Sequence, residues 1–210
     1  MKLSAKNRKT GRGISITSGL VAIAVTSITA CSTGEQSQQS QQIPEAALIA
    51  RAEIRSCSDA EVTGTAVFRE RSSTEGIKLV DFSLEVSGLT DGRHAVHVHE
   101  TAACEPCGAA GGHHDPGPFG VTTPDAPDFN HPFHGGDLIN LEVKDGVGTL
   151  STTSSRFTLS PGRMSVFDAN GSALIIHSGT DAYCDQENEL EPGCAGGARD
   201  ACGVLVLIEE

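Results

Sequence analysis

Residues 92–100 read GRHAVHVHE and place three of the chain's eight histidines within six positions. On a strand, successive side chains point to opposite faces, so His97 and His99 share one face while Val96 and Val98 share the other. Two residues along a strand span roughly 6.6 Å, close enough for two imidazoles to converge on one ion. An isolated histidine is most simply a hydrogen-bonded surface or core residue. Here all eight lie between residues 94 and 177, and GGHHDPG and NHPFHGGDL add His113, His114, His131 and His134 beside the carboxylate of Asp137. Such a set points to a bound transition metal, and imidazole suits copper, zinc, iron and nickel alike. The donors outnumber what one tetrahedral ion needs, which leaves room for two adjacent ions.

Strands must position these groups. Val80, Phe82, Leu84 and Val86 alternate with Asp81, Ser83 and Glu85, the pattern of a half-buried strand. Further strands are expected at AEVTGTAVF, HAVHVHE, INLEV, GTLSTT, RFTL, MSVFD, SALIIHS and GVLVLIE, several of them separated by turns at Asp91-Gly92, Asp145-Gly146 and Asn170-Gly171. No helical stripe runs over eleven or more residues. Many short strands at this spacing indicate an all-β antiparallel sandwich or Greek-key barrel. Residues 101–137 and 178–202 interrupt the rhythm, and loops of that length in a compact domain are usually functional.

The first thirty residues carry five Lys and Arg and no acid, then a mostly apolar run ending at Cys31, which reads as an export signal. As a membrane span that run is only weakly apolar. Ile28, Thr29, Ala30 and Cys31 resemble a bacterial lipobox, which would make Cys31 the lipidated first residue of the mature chain. Ser32 rather than Asp after it is similar to an outer-membrane sorting signal. STGEQSQQSQQ then reads as a polar tether. The expected organisation is a signal peptide at 1–30, a tether at 31–44 and one folded domain at 45–210, in an exported protein lipid-anchored at the outer membrane and facing the periplasm or cell surface. Loss of the signal leaves ten basic against 27 acidic residues, a formal charge of −17. That excludes nucleic acid as a partner and limits membrane contact to the anchor. Six cysteines remain, Cys57, Cys104, Cys107, Cys184, Cys194 and Cys202, an even number that suggests disulfides in an exported chain.

Taken in order, GRHAVHVHE, CGAAGGHHDP, HGGDLIN, ALIIHSGTD and GGARDACGVLVL resemble the successive signatures of copper–zinc superoxide dismutases, over roughly residues 60–208. The resemblance is to the bacterial, exported lipoprotein type. It implies an eight-stranded antiparallel Greek-key barrel with two long functional loops, copper and zinc as cofactors, and superoxide as the substrate converted to oxygen and hydrogen peroxide. A homodimer is compatible with it. Carried across residue by residue, it implies His97, His99, His113 and His177 as copper ligands. His113 would bridge to zinc and carry a proton, and His134 and Asp137 would complete much of the zinc side. His94 would tie loop to barrel, Asp181 would bond one copper-side and one zinc-side histidine, and Arg199 would bind and orient the superoxide anion.

Cys107 would pair with Cys202, closing a loop of about 95 residues worth roughly 4 to 5 kcal/mol in the chain-entropy model. The family's remaining zinc histidine falls about eight residues after the bridge, where this chain has Val121. His131 is the substitute, with His114 the alternative. Cys184 and Cys194 bracket the second long loop and would pair across it, leaving Cys57 with Cys104.

The stretch DAYCDQENELEPGCAGGA has five acids and no Lys. Its field does not draw an anion inward, so turnover is expected to lean on Arg199 and to be slower than in a strongly steered relative. A copper-binding or copper-delivery module on the same barrel is the rival reading, but metal storage requires neither Arg199 nor Asp181. A zinc hydrolase fits poorly, because His99-Glu100 lacks the second histidine of H-E-x-x-H.

Overall fold

Period-two burial sets the architecture. In the computed structural model, which describes residues 47–117, 131–183 and 194–208, ten strands form. The 1–30 and 31–44 segments, Cys31, Val121 and Cys184 lie outside the described residues. The strands are β1 (Ile49–Ser56), β2 (Thr63–Ser72), β3 (Lys78–Ser87), β4 (Gly92–His94), β5 (Val96–His99), β6 (Leu141–Lys144), β7 (Val147–Ser154), β8 (Ala173–His177), β9 (Arg199–Val204) and β10 (Val206–Ile208). Val80, Phe82, Leu84 and Val86 of β3 are buried, as the alternation predicts.

Hydrogen-bonded neighbours run β4-β6-β7-β3-β2-β1-β9-β8-β5, all antiparallel, with β10 against β1. The two ends of that path, β4 and β5, are consecutive in the chain and separated by Ala95 alone. One bent strand therefore joins both edges, and the sheet closes on itself as a barrel, which removes free edges. Leu205 alone likewise separates β9 from β10. Counting each interrupted pair as one strand reconciles these ten elements with the expected eight. The β3-to-β4 and β7-to-β8 connections skip neighbours, as in a Greek key. Phe68 sits at the centre of the core, with ring centroids 4.8 Å from Phe82 and 6.3 Å from Phe157.

Three expectations need correction. RFTL and MSVFD form no strands and share only one isolated parallel bridge, Thr158 to Ser165. Their apolar residues Phe157, Leu159 and Val166 plug the core from a loop, which the buried carboxylate of Glu70 pins by accepting from the N–H of Leu159 (2.6 Å) and Ser160 (2.9 Å). Strand β1 was not anticipated, although Ala50, Ala52 and Ile54 point inward and Arg51, Glu53 and Arg55 do not.

The third correction concerns the disulfides. Cys107 does not pair with Cys202, nor Cys57 with Cys104: the bonds are Cys57–Cys107 and Cys104–Cys202. Arg55 pairs with Cys202 across β1 and β9, and the Cys57 N–H donates to Asp200 O at 2.8 Å, so Cys57 and Cys202 sit on neighbouring strands. The turn bearing Cys104 and Cys107 faces both strands at once. All four cysteines pack in one small cluster with Ala110, Ala173 and Ile175, so spacing along the chain does not select the pairing. Cys194 is also disulfide-bonded.

Candidate metal centre

Strand β5 is buried on both faces. Val96 and Val98 enter the core, while His97 and His99 lie on the outer face beneath the loops. Register pairs His97 with Ile175 and His99 with Ala173 on β8, whose last residue is His177. The β8–β9 register shifts between Ile176 and His177, a bulge of the kind that re-aims a side chain next to active sites. His113 makes an isolated bridge to His99, and Asp137 makes one to His97. The first long loop thus returns twice to the same strand.

Four imidazoles, His97, His99, His113 and His177, offer ligand atoms within 4.8 Å of one another. Their tautomers follow from their neighbours. A carbonyl only accepts, so His99 Nδ1–H donates to Gly111 O (3.0 Å) and His177 Nδ1–H to Gly197 O (2.9 Å). His97 Nε2–H donates to Asp181 Oδ2 at 2.8 Å. Each ring is left one lone pair, and these nitrogens, His97 Nδ1, His99 Nε2 and His177 Nε2, are buried with no hydrogen-bond partner among the described residues. Burial, reinforced by neighbouring histidines, pushes His99 down to about 2 and His177 to about 3, so both rings are neutral at pH 7. Three unpartnered ring nitrogens within 4.8 Å of one another form a cation site that fits copper.

A second group, His97, His113, His131 and Asp137, also lies within 4.8 Å. His113 Nδ1 donates to Asp137 Oδ1 at 2.7 Å, and His134 Nδ1 lies 3.1 Å from Asp137 Oδ2. His97 and His113 belong to both groups, but the Asp181 that holds His97 Nε2 lies outside the second group, whereas the Asp137 beside His113 Nδ1 lies within it, so His113 is the ring able to serve both sides. Imidazoles with one carboxylate fit zinc. His131, not His114, joins this group: His114 is buried elsewhere, its burial pulling its pKa down, and it bonds to the Met164 backbone. Burial opposes ionisation of Asp137, but the bonds from His113, His131 and His134 outweigh it and hold the carboxyl far below its usual range. Burial opposes charge on His131 too, yet Asp137 and Asp181 raise it to about 9.

Asp181 connects the two groups, with Oδ2 on His97 Nε2 and Oδ1 on His131 Nε2 (2.9 Å) and on the Tyr183 N–H (2.7 Å). Sequence reasoning missed what holds it. The Asn140 side chain pairs with the Asp181 backbone like a strand partner, accepting from its N–H (2.8 Å) and donating to its carbonyl (2.9 Å), while Asn140 also donates to Tyr183 Oη. No residue spacing announces that contact. His94 bonds through Nδ1 to the His177 carbonyl (2.7 Å) and through Nε2 to the Thr90 carbonyl (2.9 Å), joining loop to barrel. Arg199 donates from Nη1 to Cys107 O (2.6 Å) and from Nη2 to Gly111 O, the carbonyl that also orients His99.

A carboxylate can accept from both imidazoles, whereas an amide at Asp181 would face one of the two N–H donors with its own NH2. Asp181→Asn is therefore expected to weaken zinc binding about 10- to 100-fold, the usual cost of losing an outer-shell partner. Chelator competition on the full chain would measure this, and zinc affinity within twofold of the parent would contradict it.

Comparison with known proteins agrees with this geometry. The family model described as copper/zinc superoxide dismutase matches residues 62–205. A copper–zinc superoxide dismutase of Deinococcus radiodurans is 36% identical over 160 residues, covering 70% of this chain and 79% of its own. One of Neisseria meningitidis is 30% identical over 200 residues, covering 89% and 97%. A crystal structure of a double mutant of a SOD-like protein from Bacillus subtilis is 27% identical with a TM-score of 0.53, covering 73% of this chain and 95% of that one. With its family signature spread across the barrel and its two histidine groups joined through His113, the chain belongs to the copper/zinc superoxide dismutase family.

Proposed function

We propose that the protein converts two superoxide anions and two protons to oxygen and hydrogen peroxide. The observation that carries this reading is the convergence of three orphaned imidazole nitrogens on His113, beside Arg199. In this reading His97, His99, His113 and His177 hold copper, and His113, His131, His134 and Asp137 hold zinc. Copper, when bound, supplies a one-electron cycle that oxidises one superoxide and reduces the next, and zinc supplies fixed positive charge.

The chain supplies the rest. Gly111 O, Gly197 O and Asp181 each fix one ring's tautomer and keep the lone pairs aimed inward, so little reorganisation accompanies each turnover. Asp137 holds His113 Nδ1, which leaves Nε2 as the atom that takes a proton and returns it to the departing peroxide. The Arg199 guanidinium, held by two carbonyls, is half-buried and presents a fixed positive charge to a small anion.

The test is superoxide decay by pulse radiolysis on the full chain loaded with copper and zinc. Rapid decay with a shallow dependence on ionic strength is expected, because the acidic 181–198 stretch provides no long-range attraction. Copper bound without accelerated decay would sink the dismutase reading in favour of copper carriage, and a steep fall with salt would contradict the steering argument.

We further propose export and lipidation at Cys31, supported by the basic start, apolar run and lipobox-like Ile28 to Cys31. Incorporation of labelled palmitate that persists in Cys31→Ser would contradict it.

A further inference from the structure

Three zinc-side donors, His131, His134 and Asp137, fall within seven residues at a spacing of three. Donors packed so closely along one segment converge only if its backbone is curled and held there, and an unrestrained segment would lose that conformational freedom on binding. The later half of the segment is held by the barrel. Gly136 N–H donates to His114 O (2.7 Å), and Gly136 O accepts from the Val98 N–H of β5 (2.9 Å). Gly136 lies so close to the strand that an added Cβ would strike the Val98 carbonyl. Within the segment, the His134 N–H caps Asp137 Oδ2 at 2.8 Å.

The earlier half, which carries two of the three donors, is held from the opposite side by Arg156. Its Nη1 donates to the carbonyls of Pro132 (3.0 Å) and His134 (3.4 Å), one on each side of Phe133. Arg156 follows β7, and its own N–H donates to Ser154 Oγ at 3.1 Å. The loop it opens is the one that Glu70 pins to the barrel wall through Leu159 and Ser160. The guanidinium is thus mounted on a fixed part of the fold and reaches across to the metal loop. A guanidinium suits this task, since it only donates and both acceptors are main-chain carbonyls that cannot change charge.

We propose that Arg156 is a positioning residue of the zinc site, setting the main-chain path of residues 131–134 so that His131 and His134 meet Asp137 before any ion arrives. This rests on the assignment of zinc to His113, His131, His134 and Asp137. It does not involve the copper-side rings, whose tautomers are set by Gly111, Gly197 and Asp181. Zinc and copper affinities are therefore expected to separate on its removal.

The experiment uses the full chain stripped of metal, with zinc affinity from chelator competition, the absorption of cobalt(II) in the same site, and copper(II) affinity measured in parallel. Arg156→Ala should weaken zinc about 10- to 100-fold, as loss of an outer-shell partner does. It should also alter the cobalt spectrum and leave copper within about threefold. Arg156→Lys, which keeps a cationic donor, should recover much of the loss. If the alanine variant does not fold, Arg156→Gln serves in its place and should fall between the two. Zinc affinity within twofold of the parent in Arg156→Ala, while His134→Ala loses zinc, would overturn the role of Arg156 and leave the zinc site standing. Zinc and copper falling together would also overturn it, as general loosening. His134→Ala with unchanged zinc affinity would remove the zinc assignment itself.

Discussion

Replacing His177 with alanine is expected to abolish superoxide turnover, by roughly 10³-fold or more, beyond the 10- to 100-fold typical of outer-shell changes. The side chain supplies one of three lone pairs that have no other partner among the described residues, so its loss opens the donor set on one side. The fold should survive. His177 ends β8, and its backbone, which bonds to Ala95 O and to the His94 ring, is unchanged by the substitution. Pulse radiolysis would read the rate, copper titration the affinity and circular dichroism the barrel. A His177→Ala protein that still accelerates superoxide decay within tenfold of the parent would show that the four-imidazole group is not where the chemistry happens.

That prediction was reachable from the sequence because the information is short-range. Spacing of two on a strand puts His97 and His99 on one face whatever else the chain does. The alternation of Val80 to Val86 fixes a strand with equal directness. Strand β1 leaves a weak trace in the sequence because its inward residues include Ala50 and Ala52, whose small side chains give little apolar contrast against Arg51 and Glu53. The bent strand around Ala95 and the continuation through Leu205 were equally hidden, since a one-residue break between strands leaves no compositional trace.

Long-range choices were not legible. Cys104 and Cys107 lie three residues apart and bond to cysteines of two different segments, Cys202 and Cys57, so which sulfur meets which is a property of the packed structure. His131 against His114 was undecidable by distance along the chain. His131 is brought in by Asp137 on one side and Asp181, fifty residues on, at the other. The Asn140 clamp on Asp181 and the Arg156 hold on Pro132 and His134 are side-chain-to-backbone bonds between distant segments, which carry no motif.

The metal-free protein is expected to lose most of its stability between pH 7 and pH 5. Burial, above all, lowers His99 to about 2, His177 to about 3 and His113 to about 4, from 6.5 in the unfolded chain. Below 6.5 the unfolded state binds protons that the folded rings refuse, so stability falls with pH until the folded values are reached. At pH 5 each ring costs about 2 kcal/mol by linkage, and three together cost about 6 kcal/mol, comparable with the whole folding free energy of a marginal domain. His131 acts on the other flank. Its folded value of about 9 stands above 6.5, so its contribution is complete below 6.5 and is lost as pH rises through 9. Stability of the metal-free chain should therefore peak near neutrality. Metal on the same lone pairs must be displaced before a proton can bind, so the loaded protein should hold its fold to lower pH. Urea midpoints at pH 5, 6 and 7, with and without copper and zinc, would measure both effects. A metal-free midpoint that does not move between pH 7 and pH 5 would mean the three rings are not held neutral by burial, and the tautomer argument for the copper side would lose its footing.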